Sequence, residues 1–347
     1  MRNALETALP ESMTQRVFVT RPIADAPLRR LAEAARVDLW DDDLPPPHDE
    51  LIARIANVDA VISMVSDRFD AATITRFARL RIISNFAVGL DNIDLEAATR
   101  AGIAVGHTPG VLAETTADLT FALLMATARR VAEGDRYVRA GRWRTWTPRL
   151  MLGRDIFGAT LGIIGWGAIG QAVARRAAGF GMRILYAKYQ SSRSRSFAAP
   201  PLPAEQVELG ELLAEADFIS INVPLTAKTR HMIGQHEFAL MKREAIIVNT
   251  ARGPIVDQEA LIIALKLERI AGAGLDVTEI EPIGADHELL RFPNVIVTPH
   301  IGSASHATRI KMAELAVDNV LDVFAGRLPR RCANPAVVLR GTPAATG

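Results

Sequence analysis

The 347-residue chain has one cysteine, Cys332, which excludes an internal disulfide framework and any metal site built from several thiolates. A single thiol fits a reducing compartment, and a cytoplasmic location is the expectation. No excess of either charge is present: 40 basic residues stand against 39 acidic ones. Surfaces for nucleic acid or for an anionic membrane need a concentrated basic excess, so neither partner is expected. Long hydrophobic runs are also missing. Residues 119–128 (LTFALLMATA) are too short to cross ~30 Å of hydrocarbon, and Asp118, Arg129 and Arg130 flank them. Residues 1–15 carry Glu6 and Glu11 and no apolar stretch of the kind a secretory signal requires, so they read as a frayed extension. There are no clear repeats, and residues 41–47 (DDDLPPP) read as a charged, proline-rich connector.

Apolar residues make up 49% of the chain, enough for one or two cores, and the length suggests about two domains. Short β-branched runs alternate with longer helix-period stretches. Strands are expected at 17–19, 60–64, 80–84 and 103–105, then at 161–164, 183–186, 218–222, 245–249, 273–277 and 295–298. Runs this short and this apolar are those of strands buried on both faces of a parallel sheet. Amphipathic segments at 28–35, 112–130, 171–178, 258–267 and 304–324 lie between or after them. Strand–helix alternation marks βαβ units, so the expected class is α/β with two doubly wound sheets, the second beginning near Leu161.

Residues 161–174 (LGIIGWGAIGQAVA) contain a Gly-x-Gly-x-x-Gly turn that follows an apolar strand and opens a helix. In such a turn Gly165 makes the tight bend, Gly167 admits a pyrophosphate close to the backbone, and Gly170 packs helix against strand. The N–H groups of Ala168 and Ile169 then open a helix end that carries partial positive charge. Dinucleotide binding is the expectation. An acid near the end of the next strand would bond a ribose 2′-hydroxyl, yet 188–195 read KYQSSRSR and the next acid is Glu205. Lys188, Arg193 or Arg195 would instead pair with a 2′-phosphate, which favours NADPH while leaving NADH open.

Three further apolar runs end in polar residues, at 245–253 (AIIVNTARG), 272–282 (GAGLDVTEIEP) and 295–303 (VIVTPHIGS). They bring Arg252, Glu281 and His300 to three consecutive strand ends, where open α/β sheets bind ligands. A guanidinium suits two-pronged binding of a carboxylate or carbonyl. Histidine is the side chain whose ordinary pKa lets it give a proton near neutrality, and a neighbouring carboxylate favours its charged form. Together they make a hydride-transfer site of acid, partner and anion clamp.

These segments, their order and the glycine turn before them resemble the D-isomer-specific 2-hydroxyacid dehydrogenase family over roughly residues 17–335. The resemblance implies that His300 is the general acid/base, that Glu281 pairs with it, and that Arg252 binds substrate carboxylate and carbonyl. It places Asp276 against the nicotinamide carboxamide, and it places Thr115, Val223, Pro224, Thr250, Ala251 and Gly302 along the cofactor. Residues 84–94 (SNFAVGLDNID) resemble the family's substrate loop, with the amides of Val88 and Gly89 on the carboxylate. Closer features, Val65-Ser66-Asp67, the segment 141–146 (GRWRTW) and 300–306 (HIGSASH), are similar to the glyoxylate/hydroxypyruvate reductases. They imply Ser66 and Trp146 in the substrate pocket and a homodimer through 112–130 and the Trp143/Trp146 arm. That subgroup's arginine after the second strand is matched by Tyr189, which leaves phosphate binding to Lys188, Arg193 or Arg195.

The expected architecture is a cofactor domain, 111–300, inserted into a substrate domain of 1–110 and 301–347. The expected reaction is NADPH-preferring reduction of a small 2-oxo acid to the D-2-hydroxy acid, without a metal. The alternatives are another substrate of the same family (2-ketogluconate, phosphoglycerate or phenylpyruvate type) or a non-catalytic NAD(P)H-binding regulator.

Overall fold

Val17, Phe18 and Val19 have no solvent exposure at all, as expected of a β-branched and aromatic run covered on both faces. The computed structural model describes residues 15–189 and 203–340, and the chain divides into two units, Met1–Val111 with Ser305–Gly347, and Leu112–Ala304. The first unit holds β1 (Arg16–Val19), α1 (Asp25–Ala32), β2 (Arg36–Leu39), α2 (His48–Ile55), β3 (Ala60–Ser63), α3 (Ala71–Ile74), β4 (Ile82–Asn85), α4 (Leu95–Arg100) and β5 (Ala104–Gly106). All five strands are parallel in the order β2-β1-β3-β4-β5, the flavodoxin-like winding. Phe18, Phe69, Phe77, Ile83 and Val105 share its core. The long helix His306–Phe324 returns to this sheet, and the buried Ser84 hydroxyl donates to Ala316 O at 2.8 Å.

The second unit contains α5 (Ala113–Ala128), α6 (Val131–Arg139), β6 (Thr160–Ile164), α7 (Ala168–Gly179), β7 (Arg183–Ala187), β8 (Ala204–Gln206), α8 (Leu209–Glu215), β9 (Phe218–Ile221), α9 (Gln235–Leu240), β10 (Ile246–Asn249), α10 (Gln258–Lys266), β11 (Gly272–Leu275) and β12 (Val295–Val297). Its seven parallel strands run β12-β11-β10-β9-β6-β7-β8. The chain starts at the inner strand β6, winds outward through β7 and β8, and then crosses back to β9, on the other side of β6. Ligands of such sheets bind at this reversal, outside the carboxyl ends of the strands.

Both sheets and the expected strands are present, most with ends shifted by one or two residues. Two strands were not anticipated, and both are sheet edges. β2 reads Arg-Val-Asp-Leu with alternate residues exposed, and β8 is the short polar run Ala-Glu-Gln. An edge strand has one neighbour and tolerates polar side chains, so it lacks the all-apolar signature of the inner strands. Residues 41–47 form no helix or strand. The reading of the first residues falls almost wholly outside the described residues, as does the expectation for Arg193 and Arg195.

Candidate active site

The turn between β6 and α7 is built by its glycines. Gly165 has φ +99°, and a Cβ there would lie 2.5 Å from Asn222 O. A Cβ at Gly170 would lie 2.1 Å from Gly165 O, so helix and strand meet without room for a side chain. Gly167 differs: nothing lies within 4 Å of where its Cβ would be. The backbone is thus open to an approaching group at the one position where a pyrophosphate needs it. Ala168 and Ile169 are the first residues of the 12-residue α7, whose leading N–H groups have no intrahelical partner. Space and donors therefore fit a dinucleotide.

At the end of β7 the ring of Tyr186 stacks on Trp166, with centroids 4.0 Å apart, and Lys188 Nζ lies 5.9 Å from the Tyr186 ring. Lys188 is exposed. Tyr189 does not stand in for an arginine, because its hydroxyl is 2.8 Å from Thr226 Oγ1 and pins two loops together.

Adjacent strands β10, β11 and β12 deliver Arg252, Glu281 and His300 on the loops that follow them. Asn249, buried at the end of β10, shapes the arginine's turn. Its Oδ1 accepts from Ala251 N at 3.0 Å and its Nδ2 donates to Arg252 O at 2.9 Å. Gly253 then packs on the next loop so closely that a Cβ would meet Thr278 O at 1.8 Å. In that loop Thr278 N–H donates to Glu281 Oε1 at 3.2 Å, and Glu281 Oε2 lies 2.9 Å from His300 Nδ1. The pair is part-exposed, with side chains 38% and 30% accessible for Glu281 and His300. A carboxylate on Nδ1 fixes the ring's orientation and leaves Nε2 as the atom for proton exchange.

His300 has a left-handed backbone, φ 54°, held in place by Asp276. The Asp276 carboxylate, in a residue only 1% exposed, accepts from Ile301 N at 2.8 Å, Gly302 N at 2.7 Å and Thr298 Oγ1 at 2.6 Å. Asp276 O accepts from His300 N at 2.9 Å. Its carboxylate thus anchors the histidine's own loop through three accepted hydrogen bonds. Other expected cofactor residues also turn inward. Thr250 Oγ1 is 2.9 Å from Thr120 Oγ1, and Val223 is buried in the core against Gly165. Gly302 is buried, while Thr115 and Ala251 are half-buried and Pro224 is exposed. Trp146 is 77% exposed. Asn249, Gly253 and Thr278 were not anticipated; the only sequence signals for them were an asparagine closing the strand and a glycine directly after the arginine.

The first unit has a polar cluster of its own at the carboxyl ends of β1, β3 and β4. Buried Asp67 accepts from Thr20 Oγ1 at 2.5 Å and Met64 N at 2.8 Å, next to exposed Ser66. Burial pushes its carboxyl up, against the lowering pull of those donors and of Arg21. Asn85 Nδ2 donates to Gly89 O at 3.0 Å, and His107 Nδ1 lies 3.2 Å from Val88 O. The loop of Val88 and Gly89 is therefore latched at its carbonyls, with Val88 exposed. Among the described residues, no cluster of three or more His, Cys, Asp or Glu could hold a metal ion, and no helix is long and apolar enough to cross a membrane.

Residues 121–302 match the family model for the NAD-binding domain of D-isomer specific 2-hydroxyacid dehydrogenases. A glyoxylate reductase of Korarchaeum cryptofilum is 52% identical over 327 residues, covering 94% of this chain and 98% of that protein. A solved protein of Thermus thermophilus is 48% identical with a TM-score of 0.85, covering 92% of this chain and all of that one (100%). The NADPH-dependent glyoxylate/hydroxypyruvate reductase of Sinorhizobium meliloti, solved with NADP and malonate, is 30% identical with a TM-score of 0.80, over 95% of this chain and 99% of that one.

Proposed function

The chain belongs to the D-isomer-specific 2-hydroxyacid dehydrogenase family, whose members are NAD(P)-dependent oxidoreductases, and on that premise we propose that it reduces a glyoxylate- or hydroxypyruvate-type 2-oxo acid to the D-2-hydroxy acid, preferring NADPH. The observation that carries this reading is the His300–Glu281 pair at 2.9 Å, one strand away from the turn of Arg252.

The nicotinamide, when bound, supplies a hydride to the keto carbon. His300 hands the proton from Nε2 to the carbonyl oxygen, while Glu281 holds Nδ1–H and offsets the imidazolium charge. Arg252 neutralises the substrate carboxylate and the charge that develops on the carbonyl oxygen. The Val88 and Gly89 amides are assigned to the same carboxylate, and Ser66 and Trp146 to the substrate's remaining atoms. Gly165, Gly167, Ala168, Ile169 and Gly170 form the pyrophosphate cradle, with Lys188 and Arg193 for a 2′-phosphate. Thr115, Val223, Pro224, Thr250, Ala251, Asp276 and Gly302 line the rest of the cofactor path, with Asp276 at the nicotinamide carboxamide and those that turn inward acting through their backbone. The exposed Trp143 and Trp146 fit an arm that is covered in a homodimer.

The test is oxidation of NADPH and of NADH by the purified chain, followed at 340 nm, with glyoxylate, hydroxypyruvate, pyruvate and 2-ketogluconate, and chiral analysis of the hydroxypyruvate product. Expected are turnover with glyoxylate or hydroxypyruvate and formation of D-glycerate. His300→Ala should lower kcat by about 10²–10⁴-fold while nucleotide binding persists. No turnover with any oxo acid, or full turnover without His300, would overturn the reading.

A further inference from the structure

Two residues before Glu281, a second carboxylate meets a second imidazole that the reaction does not use: Glu279 Oε1 lies 2.7 Å from His231 Nε2. His231 sits in the left-handed region, φ 53°, a conformation uncommon for residues with a side chain. Its N–H donates to Pro254 O at 2.8 Å. Just beyond it, Ile233 N–H donates to Ile255 O at 3.2 Å and Asp257 N–H to Ile233 O at 3.0 Å. Residues 231–233 are therefore tied to the turn that follows Arg252. Glu279 belongs to the other loop, between Thr278 and Glu281, and its N–H donates to Gln258 Oε1 at 3.1 Å.

We propose that His231 and Glu279 are a positioning pair that holds the loop of Glu281 in register with the turn of Arg252, so that Glu281 stays aimed at His300. This rests on the function proposed above. Gly253 abuts the main chain of Thr278 and Gln258 holds Glu279 N–H; the His231–Glu279 contact ties the loop through the Glu279 side chain as well. Its side chains are 41% and 27% accessible, and an ion pair this exposed adds little to global stability. Its effect is local: Glu279 is two residues from the catalytic carboxylate, where a small displacement lengthens a 2.9 Å contact.

The test compares Glu279→Ala, His231→Ala and the conservative Glu279→Gln, each alone and in a Glu281→Gln background. Glu279→Ala and His231→Ala are expected to lower kcat about tenfold, as a sub-ångström misplacement does, leaving KM for NADPH and the melting temperature unchanged. Glu279→Gln, which keeps an acceptor for the imidazole, is expected to recover most of the loss. Combined with Glu281→Gln, the two alanine variants are expected to add little, because they act through Glu281. Wild-type kcat in both alanine variants, or losses that multiply fully with that of Glu281→Gln, would overturn the proposal. Should Glu279→Ala not fold, His231→Ala decides by the same criteria. Glu281→Gln with wild-type kcat would overturn the role given to Glu281 and this proposal with it, whereas no oxo-acid turnover by the unmutated chain would overturn the proposed function, so the two failures are distinct.

Discussion

Adding one methyl group at Gly253 tests how tightly the arginine's turn is set. A Cβ there would stand 1.8 Å from Thr278 O, 2.0 Å from Thr278 C and 2.5 Å from Glu279 N. All three are main-chain atoms, so no side chain can swing aside. Ordinary contact begins near 3.4 Å, so one loop must retreat by roughly 1.5 Å. Neither can do so harmlessly. Asn249 grips the backbone on the Arg252 side, and the Thr278 N–H holds Glu281 Oε1 on the other. A misplacement of ~1 Å costs about 10²-fold in rate, so Gly253→Ala is expected to lose at least about 10²-fold in kcat/KM for the oxo acid. Overpacking of this kind costs about 1–3 kcal/mol of stability, small enough for the variant to fold. The assay is steady-state NADPH oxidation, with NADPH binding followed in parallel by fluorescence and expected to persist. Gly284→Ala is the control: nothing lies within 4 Å of its would-be Cβ, and activity is expected to stay intact. Wild-type kcat/KM in Gly253→Ala would refute the claim that this backbone contact sets the geometry of the site.

Lys188→Ala is expected to weaken NADPH about tenfold, the loss of one charge-assisted contact, while barely affecting NADH; equal losses for both in KM measurements would remove Lys188 from phosphate recognition. Burial pushes the Cys332 thiol up, so less thiolate is present at pH 8. Its alkylation is therefore expected to be slower in the native protein than in guanidinium and to rise only at more alkaline pH; equal rates in both states would contradict this.

Most inner strands and the glycine turn were legible because each depends on residues close in sequence. An apolar β-branched run announces a strand covered on both faces, and Gly165, Gly167 and Gly170 announce their turn by spacing alone. The edge strands β2 and β8 were not legible, since an edge permits the polar residues that also make loops. Asp276 shows the same limit at the site. Its residue type and its place after β11 were legible, but its anchoring of the donors of 298–302 is visible only in the fold.

The fold class, the dinucleotide turn and the polar residues that close β10, β11 and β12 follow from the amino-acid order alone, because periodicity and turn chemistry are written in neighbouring positions. Which of those residues touch was decided only by the tertiary structure. Glu281 reaches His300 across 19 residues and Glu279 reaches His231 across 48, and Gly253 is forced to be glycine by a carbonyl 25 positions away, at Thr278. These distances follow from the parallel register of three strands and from the loops packed beyond it. No local pattern encodes the separation between groups that meet only once the sheet has formed.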